Sequence, residues 1–488
     1  MTVKLFNTLT GKVDKFVSQT AGKALIYTCG PTVYDYATIG NLASYIYWDT
    51  LVRVLMANDY EVVRVMNITD VGHLTSDADE GEDKLEKGAK RDGKTAWEIA
   101  SFYTNAFISD MNRLNLIQPQ YLAKATDYIP DQLNLIRKLK EKGFTYQIDD
   151  GIYYDTSRFP SYANFAHLNL EAQQAGARVE FNPEKRNHSD FALWKFTPVG
   201  TKRDMEWETP KDLIDTNSQL SRMGFPGWHL ECSAISMAIL GDTLDIHTGG
   251  IDHLPVHHTN EIAQSEAATG KRFSNFWLHN EFLKVNGTKI SKSLGNFFTL
   301  ADLDKKGFSP MDFRMFVLQG NYRSEGNFTF EGLSAAKNRL LNWRNISALR
   351  HQTHDTIQAD EEKNQDEKTV SLYAASQAII EAIGNDLGTP EALRIIDDAF
   401  TKILNARINN INHQTLIKFI STIDYVLGLR LIDSTPDIND ETKQIIIERN
   451  SAREAKDWDK ADKLRKILLG KGIVLRDTVN NSVWEYDQ

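Results

Sequence analysis

The chain is 488 residues long, enough for several domains. Its apolar fraction of 41% and charged fraction of 25% lie near the globular average, and no run approaches the roughly eighteen apolar residues of a membrane-spanning helix. A net charge of −10 argues against a protein that coats nucleic acid non-specifically, although a local basic face can sit on an acidic protein, and a mere two cysteines, Cys29 and Cys232, exclude a disulfide scaffold.

The segment from Met1 to Phe16 is polar and mixed in charge, without the apolar stretch of a secretory signal, so a cytoplasmic location is expected. Ala24 to Cys29 is a short apolar run ending at Gly30-Pro31, which reads as a buried strand entering a turn. After Gly40, apolar residues recur at helical spacing from Leu42 to Leu55, and Val62 to Met66 reads as a second strand. Strand, helix, strand at this spacing is the βαβ unit of a parallel sheet, whose strand-to-helix turn lies at the carboxyl end where such sheets bind ligands. From Tyr121 the pattern is mixed and broken by polar loops, as in an insertion. Strand character returns at Leu244 to His247, and a helix is expected over Leu254 to Ala268.

From Leu333 onward the pattern is mostly helical, with a polar loop over His351 to Lys368 and a helix start at Thr389-Pro390-Glu391. Asp440 to Gln488 reads as two amphipathic helices, the second closed by Gly470 and Gly472. A hairpin follows, its strands flanking Asn480-Asn481. The expected fold is α/β: a Rossmann-like parallel-sheet nucleotide-binding domain with an insertion, then an all-α bundle and a small C-terminal α+β domain. The boundaries expected are 1–120 and 223–288 for the two halves of the catalytic domain and 121–222 for the insertion. A lysine-rich loop and connecting region take 289–332, the bundle 333–435 and the C-terminal domain 436–488.

Four features carry chemistry. Cys29 and Cys232 stand apart, and each alone is either a small buried apolar residue or a metal ligand. His257 and Glu261 are four apart, so on a helix they share a face, either as a hydrogen-bonded pair or as two ligands of one metal. Lys289-Ile-Ser-Lys292-Ser293 is a basic, hydroxyl-bearing loop whose lysines can follow charge moving onto a leaving pyrophosphate, though lysine-serine loops are commonly just solvated. At the first strand-to-helix turn, Gly40 within Thr38-Ile-Gly-Asn41 lets a phosphate or adenine approach the backbone at a helix N-terminus.

Taken in order, these segments resemble the class I aminoacyl-tRNA synthetases, and more narrowly the cysteinyl-tRNA synthetase family. Tyr27 to Asp35 and Gly227 to Ser233 are similar to that family's two zinc-cysteine segments. Asp245 to Asp252, running into His257 to Ser265, is similar to the segment giving the other two ligands. Lys289 to Ser293 matches the family's KMSKS loop with Ile for Met, and similarity continues to Lys456-Asp-Trp458 and Ala461-Asp462. The resemblance implies one zinc ion held by Cys29, Cys232, His257 and Glu261. It also implies ATP as a substrate with Mg²⁺, and L-cysteine and tRNA(Cys) as partners, with no membrane and no obligate protein partner. Thr32 and Trp228 are expected at the cysteine, Gly40, Ser291, Lys292 and Ser293 at the nucleotide, and Thr38, Asn41, Lys289 and Lys292 at the transferring phosphates.

The chain departs from the family where the HIGH signature reads Thr38-Ile-Gly-Asn41, with both histidines replaced by neutral donors that bond phosphate less strongly than an imidazolium. The linker from Pro210 to Met223 is also longer than is usual for the family. Two other readings compete: a cysteine ligase acting on an amino-sugar amine, of the mycothiol type, and a non-catalytic tRNA-binding paralogue. The C-terminal segment counts against the first, and the KISKS loop with four ligand positions against the second.

Overall fold

The computed structural model describes all residues except 1, 73–83, 169–181, 216–222, 292–293, 354–371, 407, 409–410, 478–481 and 488. Two compact units result: Thr2–Asp302 with Tyr322–Asn327, and Leu303–Asn321 with Phe328–Gln488. No helix among the described residues is long and apolar enough to cross a membrane.

The first unit opens with a hairpin of β1 (Lys4–Asn7) and β2 (Lys12–Lys15). Then β3 (Lys23–Thr28), α1 (Ile39–Ala57) and β4 (Glu61–Ile68) form the expected βαβ unit, α1 and β4 reaching beyond their apolar runs and β3 ending one residue before Cys29. α1 is buried on most sides: Leu42, Ile46, Trp48 and Leu55 are sequestered. So is Asp49, whose carboxylate takes a 2.7 Å ion pair from Arg53 one turn on and a hydrogen bond from the Ile117 amide. A buried pair of this kind contributes little net stability while intact, but losing one partner costs about 3–5 kcal/mol.

Next come α2 (Lys84–Asp92), α3 (Ala96–Arg113), β5 (Tyr121–Lys124) and α4 (Ile129–Glu141). β5 pairs in parallel with β4, so the parallel sheet extends past Tyr121, the expected start of the insertion. The inserted layer is an antiparallel sheet of β6 (Thr145–Ile148), β7 (Gly151–Tyr154), β8 (Phe191–Phe196), β9 (Trp207–Glu208) and β10 (Met223–Pro226), in the order β6-β7-β8-β10-β9. β10 thus carries the inserted sheet past residue 222, because its backbone completes the ladder of β8. Leu133, Ile136, Tyr154, Trp194 and Leu230 pack as its core.

α5 (Trp228–Leu240) leads to β11 (Leu244–Gly250). The helix expected over Leu254 to Ala268 is present: a 3₁₀ turn Ile251–His253 precedes it, its first turn is a wider π turn, Leu254–His258, and it continues as α6 (Thr259–Thr269). β12 (Ser274–Asn280) then completes a parallel sheet of order β12-β11-β3-β4-β5. The chain winds outward from β3 in one direction and from β11 in the other. Their junction is therefore the switch point, where a crevice opens beyond the carboxyl ends of the strands.

The second unit is helical and begins before Leu333. Helices Pro310–Leu318, Phe330–Ala348, Tyr373–Gly384, Thr389–Asn405 and His413–Leu427 are followed by Asp440–Glu454 and Trp458–Gly470. Thr389-Pro390 does begin a helix, and Gly472 has the positive φ of 75° that ends the last one. Strands Ile473–Asp477 and Ser482–Tyr486 pair as the hairpin, with Leu475 opposite Trp484, over a small core with Leu468 and Ala348. Asn480-Asn481 and the loop from 354 to 368 lie outside the described residues.

Candidate active site

At the switch point the chain leaves β3 through Cys29 and Gly30. The turn is held tightly: the Gly30 amide donates to Asn67 Oδ1 at 2.7 Å, and a Cβ on Gly30 would stand 1.6 Å from the Asn67 carbonyl oxygen. Only glycine permits that approach, and it keeps the Cys29 thiol over the sheet edge. Cys29, Gly30, Thr32, Asn41, Trp228, Cys232, Asp252, His253 and His257 are among the residues lining a cavity of about 180 Å³.

Its floor is a cluster of four ligand groups. The donor atoms of Cys29, Cys232, His257 and Glu261 all lie within 4.8 Å of one another, and all four residues are buried. Cys232 projects from the second turn of α5. His257 and Glu261 share a face across the π turn and the start of α6. His257 Nε2 stands 3.4 Å from Cys232 Sγ and 3.1 Å from Glu261 Oε1. The other ring nitrogen of His257 is engaged by His229, Nδ1 to Nδ1 at 2.9 Å, which orients Nε2 toward the cluster. Glu261 Oε2 is held by His247 Nε2 at 2.8 Å, while buried Oε1, ion-paired with His257 Nε2, has no well-aligned hydrogen bond among the described residues.

Burial and the mutual attraction of these groups pull against each other. Burial opposes charging His257, but the neighbouring Cys232 and Glu261 outweigh it and raise its pKa to about 10. Burial likewise pushes Glu261 up, yet His247 and His257 pull it down to about 2. Burial and the adjacent Cys232 raise the Cys29 thiol; against burial, hydrogen bonds from Cys29 and His257 lower that of Cys232. Two sulfurs, an imidazole and a carboxylate around an unsatisfied oxygen are a donor set suited to zinc. Among the described residues a second group, Cys29, His247, His258 and Glu261, meets the same spacing. There too a ring nitrogen faces the sulfur, His258 Nε2 standing 3.3 Å from Cys29 Sγ, while its Nδ1 meets His279 Nε2 at 2.7 Å, and His279 Nδ1 meets Thr8 Oγ1 at 2.8 Å.

The structure brings Thr32 and Trp228 to the cavity wall as well. Thr32 bridges to Thr69, and the Trp228 ring lies 4.8 Å from that of His257. Thr38 and Asn41 form a reciprocal cap on α1. The Thr38 amide donates to Asn41 Oδ1 at 3.0 Å, the Thr38 hydroxyl donates to the same oxygen at 2.8 Å, and the Asn41 amide donates to Thr38 Oγ1 at 3.1 Å. That occupies the Asn41 oxygen and leaves its NH₂ as the donor at the cavity. Gly40 is indeed a close approach, but to protein: a Cβ there would meet the Ile290 side chain at 2.8 Å.

The KISKS loop is therefore seated against the N-terminus of α1. Asn296 closes it, accepting from the Ser291 amide at 2.8 Å and donating to Thr288 Oγ1 and to the Lys289 carbonyl, each at 3.0 Å. Lys289 Nζ lies 5.2 Å from the centre of the Phe282 ring. Lys292 and Ser293 lie outside the described residues. Sequence reasoning passed over His229, His247, His258 and His279, which orient the cluster, and His253, which lines the cavity. A signal was present: these five and His257 are half of the chain's 12 histidines, gathered in one stretch.

The model of the tRNA synthetases class I (C) catalytic domain matches residues 15–338, and that of the cysteinyl-tRNA ligase anticodon binding domain matches residues 435–484. The cysteine–tRNA ligase of Treponema denticola is 41% identical, covering 99% of this chain and 100% of its own length. Cysteine–tRNA ligase 1 of Burkholderia lata is 42% identical over 98% of this chain and 96% of its own. Among solved structures, the methionyl-tRNA synthetase of Mycobacterium tuberculosis with methionyl-adenylate shares the fold at 14% identity and a TM-score of 0.58, over 84% of this chain and 92% of that one. A LeuRS–tRNA complex from Agrobacterium radiobacter does so at 12% identity and a TM-score of 0.60, over 87% and 88%.

Proposed function

The chain belongs to the cysteinyl-tRNA synthetase family, and from that premise we propose how its residues activate L-cysteine with ATP and pass it to the 3′ end of tRNA(Cys) in the cytoplasm. The observation that carries the reading is the convergence of Cys29, Cys232, His257 and Glu261 beneath the cavity at the sheet's switch point. A zinc ion held by these four residues supplies affinity for a substrate thiolate, which separates cysteine from serine where an apolar pocket separates close analogues poorly. Glu261 is the residue we assign to give way to substrate, since its Oε2 already has a partner in His247.

Trp228 and Thr32 wall the amino acid and hold its carboxylate toward the N-terminus of α1. That carboxylate attacks the α-phosphate of ATP; the bond to the β-phosphate oxygen breaks, and pyrophosphate leaves with its Mg²⁺. No protein nucleophile is needed, and the rate comes from positioning and charge stabilisation. The NH₂ of Asn41 donates to the phosphates, the Thr38 hydroxyl joins it by giving up its bond to Asn41 Oδ1, Gly40 and Ser291 border the nucleotide, and Lys289, with Lys292 and Ser293, holds the leaving pyrophosphate. The terminal ribose hydroxyl of the tRNA then attacks the adenylate carbonyl and AMP departs. We assign residues 436–488 to the anticodon, which disfavours an amino-sugar acceptor.

The test is charging of a tRNA(Cys) transcript by purified protein with labelled L-cysteine, ATP and Mg²⁺. Charging with cysteine and not with serine is expected. Cysteine-dependent pyrophosphate exchange without charging would return the amino-sugar acceptor, and neither reaction, in folded zinc-loaded protein, would return the non-catalytic paralogue.

A further inference from the structure

Just before the N-terminal cap of α1 the protein exposes the ring of Tyr36, in contact with the exposed ring of Phe102. Tyr36 is 44% and Phe102 46% exposed. Tyr36 lies two residues before Thr38, the cap of α1, and Asn41 on the next turn already lines the cavity. The rings meet edge to face, with centres 6.0 Å apart, and Tyr36 meets Tyr103 in the same way at 5.1 Å. These contacts fix the rings' orientation without stacking one flat on another.

Lysines stand near the rings. Lys94 Nζ lies 5.0 Å from the centre of the Phe102 ring. Between residues 84 and 94 the sequence carries five cations against two acids, although the seven residues before them, 77–83, carry five acids. Lys87, Lys90 and Lys94 are exposed. α2 is held against this corner: a Cβ on Gly88 would touch Ile99 Cγ2 at 3.6 Å and the Tyr34 carbonyl at 3.8 Å. The acids nearest the rings are turned to their own backbone. Asp35 Oδ1 accepts from the Tyr36 amide and Glu98 Oε2 from the Thr95 amide, both at 2.8 Å.

We infer that Tyr36 and Phe102, with Lys87, Lys90 and Lys94, form a stacking platform for the unpaired 3′ nucleotides of the tRNA. Exposed rings among cations recognise single-stranded nucleic acid, because bases stack on the rings while the cations follow the phosphates; paired bases offer no free faces. This rests on the function proposed above, in which the last ribose enters the cavity and the strand behind it passes the capped end of α1.

The experiment measures binding of two transcripts, whole tRNA(Cys) and the same RNA without its unpaired 3′ nucleotides, together with cysteine-dependent pyrophosphate exchange. For Tyr36→Ala and Phe102→Ala, affinity for the whole transcript falls about fivefold or more, as for loss of one stacked base. Affinity for the shortened transcript and the exchange rate stay at the wild-type value, and Tyr36→Phe and Phe102→Tyr bind as wild type. Unchanged affinity for the whole transcript, equal losses for both transcripts, or a fall in exchange would overturn the platform. A wild-type protein that neither exchanges nor charges would instead overturn the reading beneath it.

Discussion

The two sides of the cavity are built on opposite terms. On the side of the proposed metal ligands, buried groups converge and one oxygen, Glu261 Oε1, has no well-aligned hydrogen bond among the described residues. On the phosphate side, Thr38 and Asn41 satisfy each other, and Asn296 satisfies the KISKS loop. The first side therefore gains most from its ligand and suffers most when a member is removed. The second side is nearly self-sufficient, so its ligand competes with bonds already made. An unpaired buried polar group is costly, whereas a capped helix end is not.

The contrast breaks first at Cys232. In Cys232→Ser the metal should be lost, and cysteine-dependent exchange should fall at least about a hundredfold, beyond the range seen for groups that merely support a ligand. Metal content by atomic emission, beside the exchange rate, checks this; retained zinc would contradict the ligand set. His229→Ala comes next: with the Nδ1 of His257 released, zinc affinity against a competing chelator should drop roughly 10- to 100-fold. An unchanged affinity would mean that packing against Trp228 alone orients the ring.

On the other side effects should be smaller and should leave the metal untouched. Asn41→Ala should slow exchange about tenfold, the scale of one hydrogen bond to a charged group, with full zinc content. Loss of zinc in this variant would show that the two sides are not separable. Smallest is Thr38→Ala, which removes the cap and should lower stability by about 1 kcal/mol in a denaturant titration.

Sequence reasoning reached these two sides unequally. β3, α1 and β4 were legible because a buried βαβ unit writes long apolar runs with distinct periods. The insertion's edges were not: β5 is four residues long, with one buried side chain, and only its ladder with β4 ties it to the parallel sheet. The four convergent residues were reached as a proposed ligand set through resemblance, since spacing alone left Cys29 and Cys232 open between core residues and metal ligands. The His258–His279–Thr8 chain was out of reach, because its members meet across 271 residues of sequence. The reciprocal bonding of Thr38 and Asn41 was in principle readable, for a Thr followed three residues later by an amide-bearing side chain at a helix start is a capping pattern.

The order in which the ligands occur along the chain has a consequence for how the protein is made. Cys29 ends the first strand of the parallel sheet, yet the residue whose ring meets its sulfur, His258, lies 229 residues later. During synthesis the first thiol therefore waits through the whole inserted layer before its partners leave the ribosome. The centre closes only when β11 has added beside β3, a non-local pairing that forms late. Metal uptake should accordingly mark the completion of the catalytic unit, and a zinc-responsive signal followed during refolding would time that last pairing directly.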